Sequence, residues 1–570
     1  MKKNYKLNSK SKGFMKIARL WMYLKDVDIR ELINELAKED REHISELEQY
    51  ADIIYDVLEQ YNENSKEKTM MLFLRRMQNP ARRNRYVHQV FTARIAEKIA
   101  EGRGLNSKIT KTGAKIHDIG HTTGGHDGEF YISKVLKNYG AGFVCHNVET
   151  VRQLVLRHDI HKKIIDKIKE VHPNLSKSKL NRIEKSLWYL DDIPACHNGE
   201  HSQKEIVVDL EKTEEKLWDD LVKCCAIPGY DRKLRPATLE CGIVKFADSI
   251  EYTPNDTIDG LKEKLITKLD EEFYELYEKA GITKRKIKDI IKDRQFARIA
   301  NKFHNFMIND IIENSDEVCI RMSEEAGDAL YGLRKKNYKA VVSKSTRKVE
   351  QDVYEYAINE LMKEFKDIVL QKDKDIVYEK NYQNEFVEYI KNTNEREYEF
   401  IEKVVDLASL ETIRLETSEA IKLLKDGKEI TEEKTCEYKN ARIKEHMECL
   451  EAYVQPGVME LSNKEIEKYV QEVEKRTRKT NNPNYFSREE KIALRLAGEY
   501  MMTLYDEKFN TIIQEAGLIT KEQLNEMSVK YVDLSPEELN EVPTSECLTE
   551  IMKNQKKEKN KKPKKEDNER

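Results

Sequence analysis

The sequence predicts an all-α fold, and two observations carry that prediction. Only 21 glycines and 11 prolines occur in 570 residues, a shortage of turn formers that favours long helices over tight hairpins. Apolar residues also recur at three- and four-residue spacing over 28–62, 86–102 and 346–371, the period of helices with one buried face. In chain order, 28–62 reads as helix, and 86–102 follows it, ended by Gly102 and Gly104. A second helix leads from about Lys108 into His117. The helix over 346–371 carries Val349, Val353, Ala357, Leu361, Phe365 and Ile368 down one side. Pro456-Gly457 and Asn481-Asn482-Pro483-Asn484 mark turns. Ser487 with Glu490 three residues on forms a capping box that opens a helix through Tyr500. From Met552 onward the last nineteen residues hold eight lysines and one arginine, the composition of a disordered tail. The expected organisation is an N-terminal helical segment (1–80), a core domain (81–345), a C-terminal helical region (346–545) and a basic tail (546–570).

Charge and cysteine usage narrow the class. Lys and Arg number 101 against 105 Asp and Glu, a net charge of −4, so no global field calls for nucleic acid. Nine cysteines are scattered without a C-x-x-C pair, which disfavours a zinc ribbon and fits reduced, buried thiols. No apolar run is long enough to span a bilayer, and the basic start (Lys2, Lys3, Lys6) runs into Lys16 and Arg19 rather than a signal-peptide core. A cytoplasmic enzyme is the expectation.

The histidines point to where its site lies. Ten of the 13 fall between 88 and 201, a clustering of the side chain that titrates near neutrality and ligates metals. Arg85-x-x-His88 precedes His117-Asp118-Ile119-Gly120-His121, then Gly124-Gly125-His126-Asp127-Gly128-Glu129, and much later Asp248. Two imidazoles and two carboxylates from separate helices make an N2O2 donor set with positions open to water and phosphate oxygens. Such a set suits Mn²⁺, Mg²⁺, Co²⁺, Fe²⁺ or Zn²⁺. His117 and His121 face the same way if the helix continues through them. The three-residue step from His126 to Glu129 lets the carboxylate orient that imidazole for acid–base work.

The ordering resembles the HD-domain phosphohydrolases, and within them the deoxyguanosine triphosphate triphosphohydrolase-like branch. Arg85-Tyr86-Val87-His88 is similar to that branch's R-L-T-H, and HDIGHTTGGHDGE (117–129) to its H-D-x-G-H-P-P-F-G-H-x-G-E. Gly142-Phe143-Val144-Cys145-His146-Asn147 with Arg152 resembles G-F-E-H-N-x-Q-S-x-R, and Asp248 to Asp256 resembles D-D-I-A-Y-S-x-H-D. Glu499-Tyr500 with Asp506 is similar to a D-Y-I-A-S-M-T-D segment. The resemblance implies an HD helical core and a metal held by His88, His117, Asp118 and Asp248. It implies phosphate contacts from Arg85 and His121, and catalytic roles for His126, Glu129 and His146 at the scissile bond. Tyr252, Asp256 and Tyr338 would meet the sugar and base, with Asp256 at the 3′-hydroxyl. The implied reaction is water attack at the α-phosphorus of a deoxynucleoside triphosphate, releasing deoxynucleoside and triphosphate. Ring-like homo-oligomers and regulation by nucleotide or single-stranded DNA belong to the same implication.

The sequence departs from the pattern in four places. Thr122-Thr123-Gly124 replaces P-P-F, and Glu149-Thr150 replaces Q-S. The latter puts a carboxylate one turn from His146, where it either raises that imidazole's pKa or repels phosphate unless it pairs with Arg152. A K-T-Q-V segment has only Gln78 in its place. His197 and His201 lie in an extra stretch read as a surface loop, with a second metal or nucleotide contact as the alternative. Pro254 is expected to bend or end the helix before Asp256. The rival functions are an HD-type nucleotidase, a guanosine tetraphosphate hydrolase, and a non-catalytic nucleotide sensor.

Overall fold

The computed structural model describes residues 29–62, 84–198, 203–262, 264–317, 319–343, 348–371, 377–426, 437–453, 463–477 and 485–520. Gln78, His201, the turn signals at 456–457 and 481–484, and the basic tail lie outside them. The described residues are almost entirely helical, as the glycine and proline shortage predicted. Two three-residue strands, Glu205–Val207 and Cys319–Arg321, form an antiparallel pair with Ile206 opposite Ile320.

The expected helix over 28–62 is two helices, Ile29–Glu48 and Ala51–Glu59. They break at Gln49-Tyr50, where Tyr50 turns inward and is buried. Six helices then frame the histidine-rich chamber: α1 (Arg85–Gly102), α2 (Ser107–Ile116), α3 (His126–Tyr139), α4 (His146–Val151), α5 (Trp188–Cys196) and α6 (Leu239–Lys262). The Asn84 side chain caps α1 by accepting from Val87 N. The second helix ends at Ile116 and the chain turns through 117–120, so His117 and His121 do not share a helix as anticipated. Contrary to expectation, α6 runs straight through Pro254. Thr253 Oγ1 donates to Ser249 O (2.7 Å) and Asn255 Nδ2 to Glu251 O (2.9 Å), so side chains bond the carbonyls on either side of the one that proline leaves open.

Beyond these lie α7 (Lys348–Leu370), α8 (Glu395–Asp426), α9 (Arg488–Met502) and α10 (Asp506–Glu515). Val353, Ala357, Leu361, Phe365 and Ile368 are all buried on α7, the stripe read from sequence. The Ser487–Glu490 capping box is present at the start of α9. Ile401 and Val405 of α8 pack with Ile492 and Leu496 of α9 in a small cluster of their own, but the larger apolar cluster of these helices reaches into α3. Tyr131, Ile132, Val135 and Leu136 of α3 share one apolar cluster with α7, α9 and α10.

Charge joins the same parts. Arg152, wholly buried after α4, has its Nε 2.8 Å from Glu149 and 2.7 Å from Glu499 of α9, and its Nη1 on Glu397 of α8. Arg495 donates to Glu499 and to the Phe143 carbonyl. Arg157 reaches Glu397 at 3.2 Å and stacks on Tyr389. Glu149 therefore pairs with Arg152, the condition under which no repulsion of phosphate is expected. Burial, with Glu499 beside it, pushes its carboxyl up to about 8 even against Arg152.

Replacing Arg152 by leucine leaves Glu397 and Glu499 buried beside fewer cations. A loss of about 3–5 kcal/mol is expected in urea unfolding, larger than for any exposed arginine. A second outcome concerns pH. His446, between Tyr469 and Tyr485 hydroxyls, is held down to about 4 by burial and Arg442. The unfolded chain takes up that proton near pH 6.5, so its contribution is complete above that pH and lost as pH falls toward 4. Thermal melts across this window should flatten in His446→Gln.

Candidate active site

The chamber is built around Asp118, which sits in the turn after α2. Thr150 Oγ1 stabilises that turn by accepting from Gly120 N (2.9 Å) and donating to the His117 carbonyl (3.1 Å). Gly120 is required there by close approach, since a Cβ would stand 2.3 Å from His146 O and Thr150 N. Arg85, on the first turn of α1, donates Nη1 to Asp118 Oδ2 at 2.9 Å. Asp118 Oδ1 faces the Nε2 atoms of His121 (3.3 Å), His117 (3.4 Å) and His197 (3.6 Å).

His88 lies one turn along α1, with Nε2 2.9 Å from Asp248 Oδ1 of α6 and Nδ1 on Glu251. Burial opposes its charge, but Glu251 and Asp248 outweigh burial and carry its pKa to about 10. His117 donates Nδ1–H to the Ala114 carbonyl (2.6 Å), which turns Nε2 toward the carboxylates. Burial opposes its charge, but Asp118 and Asp248 raise its pKa, and in the neutral ring Nε2 is a lone pair. That atom is buried without a hydrogen-bond partner, 3.4 Å from Asp118 and 3.7 Å from Asp248. Carboxylates cannot satisfy a lone pair, whereas a cation does. His88, His117, Asp118 and Asp248 therefore fit a divalent ion, and His88, His117 and Asp118 already present donor atoms within 4.8 Å of one another.

Across Asp118 lies a second group. His121 and His146 stack with centroids 3.8 Å apart, and Glu129 of α3 faces both, 2.9 Å from His121 Nδ1 and 3.0 Å from His146 Nδ1. Burial and Arg85 push His121 down to about 4. Burial also lowers His146 despite Glu129, so Glu149 does not raise it. The pull of His146 and His121 outweighs burial at Glu129 and keeps it well below the usual carboxylate range. His126 opens α3 at the rim, 57% exposed, with Nδ1 3.6 Å from Glu129. The carboxylate is thus closer to His121 and His146 than to the imidazole three residues away.

The loop between His121 and His126 is fastened from far along the chain. Thr122 Oγ1 donates to Met501 O, Thr123 N to Leu504 O, and Asp506 Oδ1 accepts from Thr123 Oγ1 and Gly124 N, all at 2.7–3.0 Å. Gly125 takes φ +55, and a Cβ there would meet Arg85 at 2.5 Å.

Two residues of the chamber were not assigned a role from sequence. His197 is a correction: it is buried, not on a surface loop. It closes α5, whose Asn147–Ala195 contact (2.8 Å) ties it to α4, and its Nε2 meets His146 Nε2 at 3.1 Å. The polar Asn198-Gly199-Glu200 that follows suggested a loop, while the apolar α5 before it held the signal. Glu251, three residues from Asp248, signals itself only by sharing that helix face. Tyr252 is half-buried and Asp256 buried, each one turn further along α6. Tyr338 is 63% exposed, whereas its neighbour Asn337 is buried and bonded to Thr253 O and Thr257.

Residues 85–253 match the HD domain family. The chain carries an HD domain. It is similar to a curated deoxyguanosinetriphosphate triphosphohydrolase-like protein of Geobacter metallireducens, 26% identical over 237 residues that make up 41% of this chain and 51% of that protein. A protein of the same name from Leptospira interrogans is 27% identical over 236 residues, 41% of this chain and 50% of the relative. A like-named protein 2 of Mesorhizobium japonicum is 30% identical over 198 residues, 32% and 39% of the two chains. The chain thus spans about half the length, or less, of these curated relatives. No helix among the described residues is long and apolar enough to cross a membrane.

Glu251 fixes the tautomer and orientation of His88. Glu251→Gln should weaken Mn²⁺ binding by about 10–100-fold, read by calorimetry, while the circular dichroism spectrum stays that of the parent.

Proposed function

We propose that the chain is a divalent-metal-dependent hydrolase of deoxynucleoside triphosphates that releases deoxynucleoside and inorganic triphosphate. The reading rests on one observation above others, the Nε2 of His117 buried among carboxylates without a hydrogen-bond partner. His88, His117, Asp118 and Asp248 are the proposed metal holders, and a divalent ion there supplies Lewis acidity that activates water and neutralises phosphate charge. Arg85 and His121 bind phosphate oxygens beside it. His126, at the exposed rim, gives the proton to O5′ as the deoxynucleoside leaves. Glu129 holds the imidazoles in place, and His146 meets the same phosphates.

Tyr252 packs against the sugar, and Asp256 accepts from the 3′-hydroxyl. Close packing of Tyr252 at C2′ leaves no room for a 2′-hydroxyl. Tyr338 enters from the resemblance alone, as do assembly into a homo-oligomer and control by nucleotide or single-stranded DNA. dGTP is the first substrate to try, since the relatives' names carry it.

The test is a product assay with each dNTP and with GTP, in Mg²⁺, Mn²⁺ or Co²⁺. Equimolar deoxynucleoside and triphosphate should appear, dGTP should exceed GTP by ~10-fold or more, and Asp118→Asn should fall to background. Equal turnover of GTP and dGTP, or release of orthophosphate or pyrophosphate, overturns the reading.

A further inference from the structure

Hydrogen-bond accounting around Glu129 leaves a cation missing. His197 donates Nδ1–H to the Pro194 carbonyl at 2.6 Å, so its Nε2 is an acceptor. His146 Nε2, 3.1 Å away, must be the donor of that contact. In a neutral ring the other nitrogen of His146 is then the acceptor, yet it lies between both Glu129 oxygens, 3.0 Å from Oε1 and 3.1 Å from Oε2. His121 repeats the pattern. Its Nε2 lies 3.3 Å from Asp118 Oδ1 and its Nδ1 2.9 Å from Glu129 Oε1, so a neutral ring can donate to only one of the two carboxylates. Both His121 Nδ1 and Glu129 Oε1 are buried without a hydrogen-bond partner. His126 Nδ1 approaches that oxygen from the rim at 3.6 Å. With neutral imidazoles, Glu129 and the nitrogens around it therefore offer more acceptors than there are protons to join them.

We propose that His121, His126, Glu129 and His146 hold a second divalent cation, separate from the one at His88, His117, Asp118 and Asp248. The four donor atoms lie within 4.8 Å of one another. A tetrahedral ion with ligands at 2.0–2.1 Å spaces its donors about 3.3 Å apart, and the 2.9, 3.0 and 3.6 Å separations from Glu129 Oε1 bracket that value. Three imidazoles and one carboxylate suit Zn²⁺ or Co²⁺ better than Mg²⁺. Asp118 and His197 act as the outer partners that fix which nitrogen of His121 and of His146 is presented, so these two rings would meet phosphate oxygens through the ion and not directly. His126, the one exposed ligand, is the one an arriving phosphate oxygen would replace, which frees its imidazole for proton transfer. Only that last use rests on the proposed hydrolase reading.

The test counts ions on the full-length, metal-stripped chain titrated with Co²⁺. Two ions per chain are expected, one with the intense visible absorption of four-coordinate cobalt. Glu129→Gln and His146→Phe should each lose one ion together with that band. Asp248→Asn should lose the other ion and keep the band, and His197→Phe should weaken the band-forming site by about 10–100-fold. A single ion per wild-type chain overturns the proposal even if a variant misfolds, and so does a band that survives both Glu129→Gln and His146→Phe. A wild type that binds two ions and turns over no nucleotide overturns the proposed function and leaves this site standing.

Discussion

Arg152 is the constraint on which the rest of the structure depends. A guanidinium with no exposed surface is tolerated only where carboxylates meet it from several sides, and those carboxylates come from three separate helical segments. Its own backbone follows directly on the helix that carries His146. The position of a site imidazole is thereby tied to α8 and α9, more than 240 residues later in the chain. Apolar packing alone would let these helices slide. The charge contacts fix their register, because a shifted carboxylate would be left buried and unpaired.

The same reasoning separates the two halves of the chamber. On the His88 side, each carboxylate faces an imidazole. Asp248 faces His88 and His117, and Glu251 stands behind His88. On the Glu129 side, carboxylate and imidazoles are equally close, and the same rings also face His197 and Asp118, so neutral imidazoles have too few protons for every contact. Asp118 belongs to both halves. Arg85, bonded to it at 2.9 Å, restrains a carboxylate that several imidazoles would otherwise pull in different directions.

Sequence carried the fold class and most of the chamber because those depend on local chemistry. The capping box at Ser487 and the stripe on α7 are set by spacing, and both are present. The His-Asp pair and its flanking histidines mark a site through residue type alone. What was not legible depends on distant partners. His197 precedes a polar stretch, and only the packing of α5 against α4 and α6 turns it inward. Pro254 was expected to bend or end a helix, but hydroxyl and amide side chains on either side bond the neighbouring carbonyls and α6 does not end there. Glu251 needed His88 opposite before it meant anything.

The loop from His121 to His126 shows how such distant partners bear on function. Where the resembling pattern has two prolines and a phenylalanine, this chain has Thr122, Thr123 and Gly124, residues with far more backbone freedom. A loose loop would let His121 and His126 drift apart and would expose Arg85. The freedom is removed by hydrogen bonds from Met501, Leu504 and Asp506. Threonine serves this better than proline, since its hydroxyl and its N–H both bond across the interface. Stiffness that was covalent becomes stiffness borrowed from another part of the chain. The geometry of the site then depends on α9 and α10 being docked, so a change at the C-terminal helices reaches His121 and His126 without touching either.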